Sequence, residues 1–337
     1  MNYQYPIYTS YQNYSEPTPP PAKPSHVRRT VGVIAFAVVL EILLSSVVQV
    51  VAHSFILGNY PALAENDWYM WVLSGLPMYL VAMPLAYILL CFIPKSAPQK
   101  QKLNPLMWFG FLCLCFALSY VSNFVGQFIS TWLSNLTGIQ VENELQEMTS
   151  ITPFGINLLF VGILAPIFEE LFFRKAIIDR LRRYGDLPAV LISGLIFGLV
   201  HGNLNQIFYT VTIGMLLGFI YVRTGSVLYT ISIHAAFNLI GGVYTTELIR
   251  RLGEDLMPAE GDAVGQIMLW GYSLFTIFSL IAGAIFFFAN IKRFYRSLQK
   301  GEAVLTLDKW MNVLTLNPGM WALAIVVATM VISNLLT

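Results

Sequence analysis

Charge is scarce in this chain. Only 11% of its 337 residues are Asp, Glu, Lys or Arg. A soluble domain carries about 25%, so the shortage excludes an ordinary water-soluble globule. It is also balanced in sign, 19 basic against 18 acidic residues. There is no basic field for nucleic acid and no acidic one for cationic partners. Cysteine is nearly missing. Cys91, Cys113 and Cys115 lie in apolar runs without metal-type spacing, which excludes a disulfide framework and leaves small packing residues. Histidine is limited to His26, His53, His201 and His234, so any of them inside a membrane segment is informative. The N-terminus lacks the apolar core of a signal peptide. Residues 1–27, "MNYQYPIYTSYQNYSEPTPPPAKPSH" onward, read as a disordered Tyr/Pro-rich cytoplasmic tail with too little apolar surface to fold. Neither a 20–50-residue repeat nor a transporter-type inverted pair is visible.

Apolar residues are what the chain has in quantity: 56% of the total, with a mean hydropathy of +0.65. A spanning helix needs about 20 such residues. Runs fall near 30–57, 69–93, 105–132, 154–173, 187–201, 207–222, 227–245, 265–290 and 318–336. The expected fold is all-α: a polytopic transmembrane bundle of eight or nine membrane helices occupying 28–337. The fifth and sixth runs are short, which suits tilted or re-entrant segments buried in protein.

Basic residues set the orientation. Arg28 and Arg29 precede the first run, and Lys95, Lys100 and Lys102 follow the second. Arg174, Lys175, Arg180, Arg182 and Arg183 follow the fourth, Arg223 the sixth, and Lys292, Arg293, Arg296 and Lys300 the eighth. The loops "GNYPALAEND" and "LSNLTGIQVENELQEMTSIT" have no Lys or Arg. This alternation puts the N-terminus in the cytoplasm. Arg250 and Arg251 break it, lying in a loop expected outside. The stretch "DRLRRYGDL" is read as a headgroup anchor rather than an anionic-substrate site.

Three apolar runs contain polar groups at four-residue spacing. Ionisable groups at mid-bilayer cost about 2.5–3.5 kcal/mol on insertion scales and usually mark function. In "EELFFR", Glu170 and Arg174 share a helix face and suit an ion pair. Glu169 lies about 100° round the helix without a local counter-charge, as a general base requires. In "FGLVH", Phe197 and His201 share a face, with Gly202 a natural terminator. In "HAAFN", His234 and Asn238 point two polar groups at one place, as an oxyanion hole requires. Each pair alone could be structural: a membrane-edge salt bridge, a packed histidine, interhelical hydrogen-bonding glue. One shared cavity accounts for all three. Glu169 would activate a water, His201 would hold it, and His234 with Asn238 would stabilise the developing charge, which is the hydrolysis of an amide. Glu41 in the first run is expected to pair within the bundle, the other reading being that it lines a substrate entrance. Asn123, Gln127 and Asn157 are interhelical hydrogen-bonding candidates, and Tyr209 and Phe237 packing residues.

In this order the motifs resemble the CPBP family, which groups type II CAAX prenyl endopeptidases with bacteriocin-processing and immunity-type proteins. The resemblance covers about 150–245. It implies an intramembrane protease of about eight helices with its site toward the cytoplasm. It makes Glu169 the base, His201 its partner, His234 and Asn238 the oxyanion stabilisers, and Glu170, Arg174 and Phe197 supporting residues. Its members are described both with and without metal. H-E-x-x-H is missing. The metal-free form is preferred, with zinc on Glu169, His201 and His234 the other option. The expected partners are the bilayer and a membrane-associated protein or peptide, lipidated or not, and no nucleic acid. The alternative is a non-catalytic immunity or scaffold protein of the same fold. A proton-coupled transporter using Glu41 and Glu169 is disfavoured by the missing internal symmetry.

Overall fold

The computed structural model describes residues 23–139, 144–253, 255–301 and 305–336. The expected tail lies outside the described residues up to position 22. Its last residues are helical instead, because Pro24 occupies a first-turn position where no backbone N–H is needed.

Among the described residues, eight helices are long and apolar enough to cross a membrane. In chain order, α1 is Pro24–Asn59, α2 Tyr69–Leu90 and α3 Pro105–Thr137. A short helix, α4, Glu144–Ile151, follows. Then come α5, Phe154–Tyr184, α6, Asp186–Leu199, α7, Leu204–Thr224, α8, Val227–Leu252, and α9, Ala263–Arg296. The short α10, Leu307–Thr315, precedes α11, Pro318–Leu336. No strand occurs among the described residues. The chain is a multi-pass membrane protein of the all-α class.

The fifth run is short, as expected. At 14 residues, α6 rises about 21 Å, less than the roughly 30 Å hydrocarbon core. It doubles back into α7 through a turn in which Gly202 takes a φ of 61°, a left-handed conformation that costs glycine little. The sixth run is not short: α7 has 21 residues. The polar "NLNQ" start, which reads as loop, forms its first turn, capped by Asn203 accepting from the Asn205 N–H at 2.9 Å. Small residues bring the two arms together. A Cβ on Gly198 would lie 2.7 Å from the Val211 nitrogen, and one on Gly194 2.6 Å from that of Met215. This is small-residue packing of the kind membrane helices use.

Two apolar cores result. One joins α1, α2, α5, α6 and α11; the other joins α3, α7 and α8, with α9 packed against it. The polar cluster lies between them.

The basic residues behave in two ways. Arg180 and Arg182 turn inward: Arg180 bonds the Leu90 and Ala176 carbonyls, and Arg182 bonds Asp186 and Gln299. "DRLRRYGDL" is therefore an internal staple rather than a headgroup anchor. Arg250 and Arg251 are neutralised locally. Arg250 pairs with Glu247 at 2.7 Å and Arg251 with Asp262 at 2.6 Å, so neither is a free charge seeking the cytoplasm.

Candidate functional site

Helix α5 departs from α-helical geometry twice, and the departures bracket Glu169. The stretches Leu158–Leu164 and Glu170–Ile178 are wound as π-helix, a form frequent at functional sites. Pro166 accounts for the first. It has no N–H to give, and the Ala165 N–H reaches back to the Phe160 oxygen. The Val161 carbonyl is thereby left without a backbone donor. Asn238 of α8 supplies one, its Nδ2 lying 2.9 Å from that oxygen. Asn238 is thus a cross-helix cap, with one further amide N–H for other work.

The two adjacent carboxylates have different surroundings. Glu170 is fully buried and takes two N–H bonds from Arg174, at 2.9 and 3.1 Å. Arg174 is also fully buried, reaches Ser193 Oγ at 3.4 Å and lies over the Phe197 ring at 4.7 Å. Ser193 in turn donates to the Phe173 carbonyl. Glu170 is therefore a satisfied structural anion. Glu169 takes no part in that network. Its side chain keeps 15% of its surface, and its Oε2 stands 3.8 Å from His234 Nε2.

Each histidine has one nitrogen committed. His201 Nδ1 is 2.7 Å from the Phe197 carbonyl oxygen. A carbonyl only accepts, so Nδ1 carries the proton and a neutral ring has its lone pair on Nε2. His234 Nδ1 is 3.1 Å from Glu170 Oε1, which turns Nε2 toward Glu169. Phe197 packs edge-on against both rings, at 5.1 and 5.9 Å, and thereby fixes their relative position.

Glu169, His201, His234 and Asn238 all line one cavity of about 470 Å³. Among the described residues, Glu169 is the one carboxylate that lines it. Along α8 the lining runs from His234 to Ile249, a rise of about 22 Å, toward the loops that lack Lys and Arg. Leu145, Gln146 and Thr149 of α4 border that end. There α4 is tied down by Arg250 to the Ser150 carbonyl at 3.2 Å and by Asn157 to the Thr149 carbonyl at 2.8 Å. The catalytic candidates thus stand at the end of the chamber away from the Lys/Arg-free loops.

Several expectations change here. Asn157 does hydrogen-bond as expected, whereas Asn123 and Gln127 line the cavity and make no side-chain hydrogen bond among the described residues. Tyr209 and Phe237 also line the cavity instead of serving only as packing. Glu41 is 5% exposed and has no ion-pair partner among the described residues, contrary to the expected pairing. Among those residues, no three His, Cys, Asp or Glu side chains are grouped to hold a metal ion. Glu169, His201 and His234 share the cavity without forming such a set. Tyr79, Ser193 and Gln206 are site residues without an advance signal: each is a single polar residue in or beside an apolar run.

Comparison with known proteins agrees with the motifs. Residues 152–240 match the family described as type II CAAX prenyl endopeptidase Rce1-like. That window holds Glu169, His201, His234 and Asn238 together. YdiL of Bacillus subtilis (strain 168), which carries the provisional name of a membrane peptidase, is 30% identical over 133 residues. That is 39% of this chain and 54% of that protein, so the chain spans about half the length of this curated relative. No solved structure matches the chain. The helices that carry the cluster therefore resemble the type II CAAX intramembrane proteases at family level.

Proposed function

We propose that the protein is an intramembrane endopeptidase that hydrolyses a peptide bond of a membrane-associated protein or peptide. One observation carries this reading: Glu169, His201, His234 and Asn238 face a single cavity inside an apolar bundle, with Glu169 the one lining carboxylate among the described residues.

The chemistry follows from the hydrogen bonds. Glu169 takes a proton from a water as its oxygen attacks the carbonyl carbon, and His201 Nε2 accepts the water's other hydrogen. The carbonyl oxygen gains negative charge. His234, held by Glu170 through Nδ1, presents Nε2 to that oxygen, and Asn238 donates through its remaining N–H. The tetrahedral intermediate collapses, the C–N bond breaks, and Glu169 returns its proton to the leaving nitrogen. Arg174 and Glu170 hold His234 and take no part in the bond changes. In this reading the chain's own side chains suffice without a resident metal.

The charge pattern supports a cytoplasmic N-terminus. The site is then toward the cytoplasmic side, with the cavity lining running along α8 from His234 to Ile249. The substrate is lipidated or not, and nucleic acid has no part in the reaction.

The test compares the membrane peptidome of cells carrying wild-type protein with that of cells carrying Glu169→Gln, with and without chelator. Peptides released by wild type in both conditions, and missing with the variant at equal abundance, are expected. Identical peptidomes would remove the endopeptidase reading.

A further inference from the structure

Part of the cavity lining has no assigned role. Asn123 and Gln127 stand one turn apart on α3, and Gln206 faces the same space from the first turn of α7. The two helices meet closely there. Gly126 has the Asn205 carbonyl 3.7 Å from where a Cβ would lie, and Ser122 bonds Thr212 at 2.8 Å. Gln206 is only 8% exposed, and its carboxamide makes no hydrogen bond among the described residues. Asn123 and Gln127 make none either. Gln206 is buried, Asn123 half-buried and Gln127 exposed, and all three border the cavity, so their carboxamides are open to a group that enters it.

From these residues we infer a second subsite, which binds the backbone of an extended, uncharged peptide stretch next to the scissile bond. It deepens the endopeptidase reading and rests on it only for where the cut falls. A peptide to be cut must leave its helix. In a membrane each freed N–H and C=O needs a new partner, at several kcal/mol if none is found. A carboxamide offers both a donor and an acceptor, as a peptide group does. Asn123 and Gln127 are separated by a rise of about 6 Å. Extended chain repeats every second residue at about 6.7 Å, so the two reach successive backbone groups on one edge, and Gln206 serves the other. Apart from Glu169 the lining contains no Asp, Glu, Lys or Arg among the described residues. A Lys or Arg in the bound stretch would pair with Glu169 and occupy the base.

The subsite is testable without turnover. The full chain carrying Glu169→Gln is placed in nanodiscs and titrated with a coumarin-labelled, N-acetylated, C-amidated nonapeptide of Ala, Ser and Gly. Saturable binding is expected. Methylating alternate backbone nitrogens should weaken it at least tenfold, and so should adding Gln206→Leu or Asn123→Leu. Exchanging Ala for Ser should change it less than threefold. Equal binding of the N-methylated peptide, unchanged binding in both Leu variants, or no saturable binding would each overturn the subsite. The N-methyl arm needs no further substitution, so it does not depend on how the variants fold. Saturable binding of a peptide that wild type never cuts would uphold the subsite while removing the endopeptidase reading.

Discussion

Asn238 on α8 donates to the carbonyl oxygen of Val161 on α5 at 2.9 Å. The bond exists because Pro166, five residues on, has no N–H to offer that oxygen. Asn238→Leu should therefore cost about 1–3 kcal/mol by orphaning a membrane carbonyl. Pro166→Ala provides a backbone donor and should reduce that cost. A double-mutant cycle read by thermal unfolding in detergent should give a coupling above about 0.5 kcal/mol. Additive effects would mean that proline and asparagine are unrelated.

Glu170 and Arg174 are fully buried partners. Removing one leaves the other as an uncompensated charge, at about 3–5 kcal/mol. Arg174→Met should be severe. Arg174→Lys should recover only part, because an ammonium cannot reproduce the two-pronged contact. The pair replacement Glu170→Leu with Arg174→Met should unfold at a higher temperature than Arg174→Met alone. A pair replacement at or below the single variant would contradict this picture.

The α6–α7 hairpin depends on backbone approach at Gly198. A methyl there would lie 2.7 Å from the Val211 nitrogen, whereas one on Gly58 meets nothing within 4 Å. Gly198→Ala should lose about 1–3 kcal/mol through overpacking, and Gly58→Ala almost nothing. Equal unfolding temperatures for the two would show that the arms are not in contact at this point.

Glu41 is buried without a counter-charge among the described residues. Glu41→Gln keeps its shape and removes the charge, so stability should be unchanged or raised. A loss greater than about 1 kcal/mol would reveal a partner that depends on the carboxylate.

Much of this was legible in the sequence. Lipid forbids unpaired backbone, so apolar runs translate directly into helices, and eight of the nine runs became spans. The cluster was legible because Glu169, His201, His234 and Asn238 are polar where polarity is costly. What stayed hidden was geometric. Nothing in "NLNQIF" says that Gln206 lies inside a chamber rather than on a loop, since a helix's first turn and a loop have the same composition. Nothing in "ILAPIF" says which side chain will rescue the carbonyl that Pro166 strands. Arg180, Arg182, Arg250 and Arg251 misled for a related reason. Charge counting assumes that a basic side chain is free, and these four are internally bonded.

The proposed hydrolysis requires Glu169 and His201 to act on one water in one chamber. Residues that act as a unit are strongly non-additive. The direct measurement is the rate of release of a peptide product for Glu169→Gln, His201→Ala and the double variant, at matched abundance and unfolding temperature. Each single variant should lose nearly all activity, with the double variant no slower than the slower single. Full activity in His201→Ala, or losses that multiply in the double variant, would contradict the shared site.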